Sequence, residues 1–300
     1  VAICAPSGPP KKELFEAGRA ILAARYRVVC DPALVDRGHG YLAGDDACRR
    51  NELQRAIDDP EIRGVFCARG GYGALRIVDA LDPHSLNTDP KPLCGFSDIT
   101  VLLHWLYFHG VVAVHGPVVT QLPALSATDR KHLWRLLEDP TYRPCYPGAE
   151  TIGRTDSAVT RTGVLWGGNL AMLCSLLGGP FYSAPRKTLL AIEEVAEPPY
   201  RLDRMITQLK RSATLDSVAG VTLGQVTAPD PRRSAKPAAQ KSESWSAVLA
   251  QIISGHGRVV TRGFPWGHGR TNRAWPLGVR ARLDLQTHSL QVLEPAVSAR

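Results

Sequence analysis

Ser97 lies in Pro92-Leu93-Cys94-Gly95-Phe96-Ser97-Asp98-Ile99-Thr100, where a short apolar run stops and a helical pattern begins. A serine at a strand-to-helix turn projects its hydroxyl from the end of a sheet. The first amides of the following helix have no intrahelical acceptor, so they can hold a developing oxyanion. The chemistry on offer is nucleophilic attack on an acyl group. The segment lacks the second Gly of Gly-x-Ser-x-Gly, and a serine that merely caps the helix is the plainer alternative.

A serine nucleophile needs a base within reach and a third group to orient that base. Glu193 and Glu194 interrupt the apolar run Leu189-Leu190-Ala191-Ile192 where a strand should leave its sheet. Buried there, a carboxylate is costly unless paired or solvated. An ion pair with Arg201 or Arg204, or a solvated strand end, would also account for it. His268 stands in Gly263-Phe264-Pro265-Trp266-Gly267-His268-Gly269, too rich in Gly and Pro for a helix or central strand. A loop histidine of this kind can face a cleft, but spacing alone does not separate His268 from His39, His115 or His256.

Arg69-Gly70-Gly71-Tyr72-Gly73 follows a strand pattern and has two readings. One is an anion loop at a helix start. It matches neither G-x-G-x-x-G nor G-x-x-x-x-G-K-[ST], and no acid closes a following strand. The other, preferred, is a tight loop whose amides approach a substrate carbonyl, which requires glycine's permissive angles. No H-E-x-x-H or similar spacing occurs, so neither a metal nor another cofactor is expected.

The elements that must position these residues alternate in the first half. Val1 to Ala5, 64–68, 92–95 and 111–114 read as buried strands, and helical patterns follow Pro9-Pro10, Gly73 and Asp98. Repeated βα units predict a mainly parallel sheet with helices on both faces. Between 139 and 161 the pattern dissolves into Pro, Gly, Thr and Ser, which reads as a linker. Beyond it come strands at 163–166, 189–195 and 218–226, a helix at 170–177 with Asn169 as its cap, and an amphipathic helix at 200–211. A polar loop at 227–244 and an alternating hairpin at 277–293 complete the chain. The expected domains are 1–140, a linker at 141–161, and 162–300.

Composition narrows the class. With 300 residues, 44% of them hydrophobic, the chain can bury a sizeable core. No stretch approaches the ~20 uncharged apolar residues of a membrane span, and the N-terminus reads as a strand rather than a signal peptide. A cytoplasmic protein with no membrane partner is expected, with residues ahead of Val1 left open because the chain does not begin with Met. Seven cysteines without a close C-x-x-C pair fit reduced, buried thiols. The net charge of +8 is spread along the chain and alternates with acids, which argues against nucleic acid.

Taken together, Arg69-Gly-Gly-Tyr-Gly-Ala74, Gly95-Phe-Ser-Asp-Ile-Thr100, Gly167-Gly-Asn-Leu170, Ile192-Glu-Glu-Val195 with Pro199-Tyr-Arg-Leu-Asp-Arg204, and Gly267-His-Gly269 resemble the LD-carboxypeptidase family of serine peptidases. The family includes the microcin C immunity peptidases. The motifs run in register over nearly the whole chain. The resemblance implies an α/β fold, with a Rossmann-like N-terminal domain carrying the nucleophile and a smaller, β-rich C-terminal domain carrying the other two triad members. It implies Ser97 as nucleophile, His268 as general base and later acid, and Glu193 as the orienting carboxylate, Glu193 rather than Glu194 because it matches the first acid of the family motif. The backbone amides of Gly71 and Asp98 would form the oxyanion hole. The Asp98 side chain has no assigned role.

Family members remove a terminal D-alanine from murein tetrapeptide during cell-wall recycling, and the resemblance also implies a homodimer. Phe96 stands where many relatives have Tyr, a change that should leave the elbow intact. Arg232, Arg233, Lys236 and Lys241 make the 227–244 loop basic, which suits an acidic peptide at its border. A microcin-type peptidase acting on a peptidyl-aminoacyl nucleotide is the alternative, with Trp166, Trp245 or Trp266 available to stack on a base. A binding module that keeps the fold, or a nucleotide-binding Rossmann protein, are the readings outside this class. With histidine as base, kcat/KM should fall below roughly pH 6 to 7.

Overall fold

A computed structural model describes residues 1–153, 159–227, 245–269 and 271–299. The chain divides into two units. One comprises Val1–Pro140 and Arg273–Leu277 together with the residues from Ala296 onward; the other comprises Thr141–Asn272 and Gly278–Pro295. The loop segment 228–244, with Arg232, Arg233, Lys236 and Lys241, lies outside the described residues.

In the first unit, β1 (Ala2–Cys4), β2 (Val65–Cys67), β3 (Leu93–Gly95) and β4 (Ala113–His115) pair in parallel in that spatial order. All four are buried throughout. That is why each reads as an unbroken apolar run rather than an alternation. Val29 adds one parallel bridge on the free side of β1, with Ile3 N donating to Val29 O (2.9 Å) and Val29 N to Val1 O (2.9 Å). The chain therefore leaves β1 to one side and returns to β2 on the other. The loops after β1 and β2 lie at that switch point, the place where open α/β sheets open a crevice.

The helices α1 (Lys12–Ala23), α2 (Asp46–Asp58), α3 (Thr100–Phe108) and α4 (Ala127–Glu138) accompany this sheet. Asp45 and Ser126 cap α2 and α4 by accepting from Cys48 N (2.7 Å) and Asp129 N (3.0 Å). The helix expected after Gly73 is instead two 3-10 turns, Ala74–Arg76 and Val78–Ala80. Leu75, Val78 and Leu81 thus mark short turns packed against α3, where an apolar spacing of three fits either geometry.

The second unit is built on an eight-stranded sheet. At its centre β7 (Thr160–Asn169), β8 (Thr188–Val195), β9 (Val218–Thr227) and β10 (Val260–Arg262) run parallel. The helices α5 (Leu170–Leu176), α6 (Pro199–Arg211) and α7 (Trp245–Gly255) make the crossovers. The flanks are antiparallel: β12 (Arg280–Asp284) and β13 (Ser289–Val292) form the expected hairpin beside β7. Two short strands, β5 (Cys145–Pro147) on β13 and β6 (Glu150–Ile152) on β10, close the edges. They fall in the stretch read as linker, where Pro and Gly mark sheet edges instead. This unit is no shorter in chain length than the first, and it has a parallel βα core of its own.

A further departure is β11 (Trp275–Leu277). It pairs antiparallel with β4, Trp275 opposite His115 and Leu277 opposite Ala113, so the chain re-enters the first unit late. The His115 ring stacks on Trp275 with centroids 4.7 Å apart. The local pattern of Trp275-Pro276-Leu277 carries no information about a partner 160 positions earlier, which is why the sequence alone assigns no strand to Trp275 and Pro276 and takes Leu277 as the start of the hairpin.

Candidate active site

Ser97 follows β3 by one extended residue, Phe96, and opens a 3-10 turn, Ser97–Ile99, that leads into α3. Its φ is 64°, in the left-handed region that a side chain with a Cβ occupies only at a cost. Neither this turn nor α3 has a side-chain cap, so the hydroxyl of Ser97 does not serve as one. The helix-cap alternative falls, and a half-buried serine is held in a strained turn at a strand end.

The glycine loop lies against it. A Cβ placed on Gly70 would come within 3.0 Å of Ser97 Cβ and 3.2 Å of its Oγ. Gly71 has φ +118° and packs on Gly8, while Gly8 N donates to Gly70 O (3.1 Å). Only glycines allow the β1 and β2 loops to approach each other and the serine this closely. Asp98 points away from solvent and is 2% exposed. Its Oδ2 accepts from Ser7 Oγ (2.5 Å) and from Ala74 N (2.9 Å). Burial pushes the Asp98 carboxyl up, against these two hydrogen bonds and the Arg49 charge, which hold it down.

In the second unit Glu193 lies near the end of β8, opposite Asn169 of β7. It is fully buried, and its Oε2 lies 2.6 Å from His268 Nδ1. An ionised carboxylate only accepts, so Nδ1 carries the proton and Nε2 holds the lone pair that can take another. Gly267, at φ +121°, brings the histidine there: a Cβ on it would lie 3.1 Å from Glu193 Cβ. Burial disfavours the imidazolium, yet the charge and hydrogen bond of Glu193, helped by Glu194, raise the His268 pKa above the ordinary histidine value.

Glu194 faces other partners. It accepts from Asn169 Nδ2 (3.1 Å), Ala171 N (2.8 Å) and Val195 N (2.7 Å), tying the start of α5 to the end of β8. Burial, and then the Glu193 charge, push its carboxyl up to about 7 despite these donors. Arg201 pairs with Glu197 (2.9 Å) and Arg204 lies over the Tyr200 ring (5.6 Å), so the ion-pair explanation for Glu193 and Glu194 does not apply to these partners. Asn169 also caps α5 as expected, accepting from Met172 N (3.2 Å).

The structure thus brings together Glu193 and His268 in one unit, and Ser97, Asp98 and the Gly70-Gly71 loop in the other. The other histidines are placed elsewhere: His115 is buried in β4, His39 bridges to Leu42, and His256 follows α7. Sequence reasoning missed Gln225 and Asn272, which hold the histidine loop. Gln225 Oε1 accepts from Gly269 N (2.5 Å) and Asn272 Oδ1 from Gly267 N (3.1 Å). A glutamine breaking the apolar run of β9 was the available signal. Ser7 and Arg49 were also missed. Among the described residues no group of three or more His, Cys, Asp or Glu side chains could hold a metal ion, and no helix is long and apolar enough to cross a membrane.

Residues 1–116 match the LD-carboxypeptidase N-terminal domain and residues 162–283 the LD-carboxypeptidase C-terminal domain. The chain belongs to the LD-carboxypeptidase family. Among family members, a putative carboxypeptidase of Streptomyces coelicolor is 38% identical over 99% of this chain and 94% of its own length. The murein tetrapeptide carboxypeptidase of Pseudomonas aeruginosa is 36% identical over 83% of this chain and 81% of its own. The crystal structure of muramoyltetrapeptide carboxypeptidase from Oxalobacter formigenes superposes with a TM-score of 0.82 at 27% identity, covering 97% of this chain and 98% of that one. As an LD-carboxypeptidase family member the chain is a serine-type peptidase, a hydrolase of peptide bonds.

Proposed function

We propose that this LD-carboxypeptidase removes the terminal D-alanine from murein tetrapeptide through an acyl-enzyme on Ser97. The 2.6 Å contact between His268 and a fully buried Glu193 carries the reading, because it fixes the tautomer a general base needs. His268 Nε2 takes the proton as Ser97 Oγ attacks the carbonyl of the scissile amide. The amides of Gly71 and Asp98 hold the oxyanion, and the imidazolium then protonates the departing D-alanine amine. Water, activated by the same histidine, attacks the ester and releases the tripeptide. The strained φ of Ser97 and the close approach of the glycine loop support the roles of nucleophile and oxyanion hole.

The wider setting follows from the same reading: a cytoplasmic enzyme of peptidoglycan recycling, working as a homodimer without nucleic-acid or membrane partners and without a cofactor. For the microcin-type alternative the base-stacking candidates are reduced. Trp166 and Trp266 are fully buried, packed against Tyr182 and Phe264, which leaves Trp245 at the start of α7. The test is mass spectrometry of murein tetrapeptide incubated with wild type and with Ser97→Ala. Loss of one alanine with wild type alone supports both reaction and nucleophile. An uncut tetrapeptide alongside a cleaved peptidyl-aminoacyl nucleotide would move the substrate to the alternative.

A further inference from the structure

Two loops flank Ser97, and both are gripped from below by a pair of opposite charges. Arg49 of α2 is fully buried, and its Nη1 donates to Pro6 O and to Gly73 O, the latter at 2.9 Å. The Asp98 carboxylate accepts from Ser7 Oγ (2.5 Å) and Ala74 N (2.9 Å). Each loop is therefore held at two consecutive residues, once by the cation through a carbonyl and once by the anion through a donor. In the second loop the two grips fall on one peptide group, since Gly73 O and Ala74 N belong to the same plane.

That plane ends the run Gly70-Gly71-Tyr72-Gly73, in which Gly71 and Gly73 have φ of +118° and +129°. Glycine peptides rotate at little steric cost, so such a loop does not hold its amides in one direction unaided. Pinning a peptide at both its carbonyl and its N–H removes that freedom at the loop's far end. At the near end the loop is tied to the first by Gly8 N to Gly70 O (3.1 Å). Because Asp98 is the neighbour of Ser97, the anionic end of the device moves with the nucleophile.

We propose that Arg49 and the Asp98 carboxylate are positioning residues, a charged staple that fixes the Gly73-Ala74 peptide and so aims the glycine-loop amides at the carbonyl attacked by Ser97. Burying two ionised groups is an expensive way to gain stability, and apolar side chains of similar size would often do as well. They would not fix the rotation of a peptide plane. The inference rests on Ser97 being the nucleophile and on the glycine loop being the oxyanion donor.

The test measures two rates per active site in wild type, Asp98→Ala and Asp98→Asn: turnover of murein tetrapeptide, and covalent labelling of Ser97 by an alkyl fluorophosphonate. In the labelling step Ser97 Oγ bonds to phosphorus, fluoride leaves, the serine proton passes to the base, and the phosphoryl oxygen occupies the carbonyl oxygen's place. Asp98→Ala should lower kcat and the labelling rate by about 100-fold, the scale of a lost oxyanion donor. KM should stay within about twofold, since a transition-state interaction is what is lost. Asp98→Asn keeps an acceptor oxygen and should recover to within about tenfold of wild type. A purely structural role would reduce the number of labelled sites and leave the rate per site unchanged.

Per-site rates of Asp98→Ala within twofold of wild type overturn the staple, as does an Asp98→Asn no faster than Asp98→Ala. If Asp98→Ala does not fold, Arg49→Lys is read in its place: slowed labelling with unchanged KM supports the staple, and an unchanged rate overturns it. A wild type that is labelled at Ser97 but leaves tetrapeptide uncut overturns the substrate reading alone, and the labelling rates still decide the staple.

Discussion

Ser97 combines two demands that pull against each other, a left-handed backbone and a side chain. A serine at φ 64° is less stable than glycine would be, by about 1 kcal/mol. Ser97→Ala should lower kcat by several orders of magnitude with the fold retained, checked by turnover and circular dichroism. Ser97→Gly should be as inactive yet more stable than Ser97→Ala by about 1 kcal/mol in urea denaturation. Equal stabilities would mean that the turn stores no strain.

The histidine gives a pH prediction with a definite sign. A general base must be neutral, and Glu193 and Glu194 favour the imidazolium, so the acid limb of kcat/KM should sit above the ordinary histidine value of ~6.5. Glu194 ionises near pH 7 and strengthens that hold as it does so, which should broaden the limb. Glu194→Gln should move the limb down and narrow it to a single proton. A limb unmoved by that change would remove Glu194 from the electrostatics of the base. Of these residues Ser97 was legible from its strand-to-helix setting, but spacing alone did not choose among four histidines. The resemblance pointed to His268 through Gly267-His-Gly269; the 2.6 Å contact with Glu193 across 75 positions supports that reading, and no local pattern encodes such a distance.

At the scale of elements, the site depends on loops whose shape is set by glycines and by polar residues at strand ends. Gly267→Ala would strain a φ of +121° and press on Glu193. The expected result is a folded protein in which His268 loses Glu193, with kcat/KM reduced at least tenfold and the acid limb lowered toward that of an ordinary histidine, read from the pH profile. A profile identical to wild type would show that the loop tolerates the methyl group. Strands buried on both faces were readable because they have no polar positions to alternate with. The turns after Gly73 were not, because three-residue spacing serves a 3-10 turn as well as a helix. Asn272 left no signal for a related reason: a side chain that accepts one amide from a distant loop leaves no period in its own segment, and Gln225 showed only as a polar break in the apolar run of β9.

At the scale of the molecule, the first unit is discontinuous. Its sheet is completed by β11, contributed by Arg273–Leu277 after the chain has built most of the second unit. A fragment of residues 1–140 would leave β4 as an open edge and His115 without the Trp275 ring. Open edges template association, so size-exclusion chromatography should find the fragment aggregated. A monodisperse fragment with native near-UV circular dichroism would show that β11 is dispensable. This arrangement could not be read in advance, since the short stretch 273–277 runs straight into the hairpin and nothing local marks a partner in β4.

The late arrival of β11 also sets an order of events during synthesis. A ribosome adds ~5–20 residues per second, so roughly 7–27 s separate the completion of residue 140 from that of residue 277. For that interval the nascent chain carries Ser97 on a sheet with one side unfinished. The segments bearing Glu193 and His268 are translated before the strand that completes the sheet carrying Ser97.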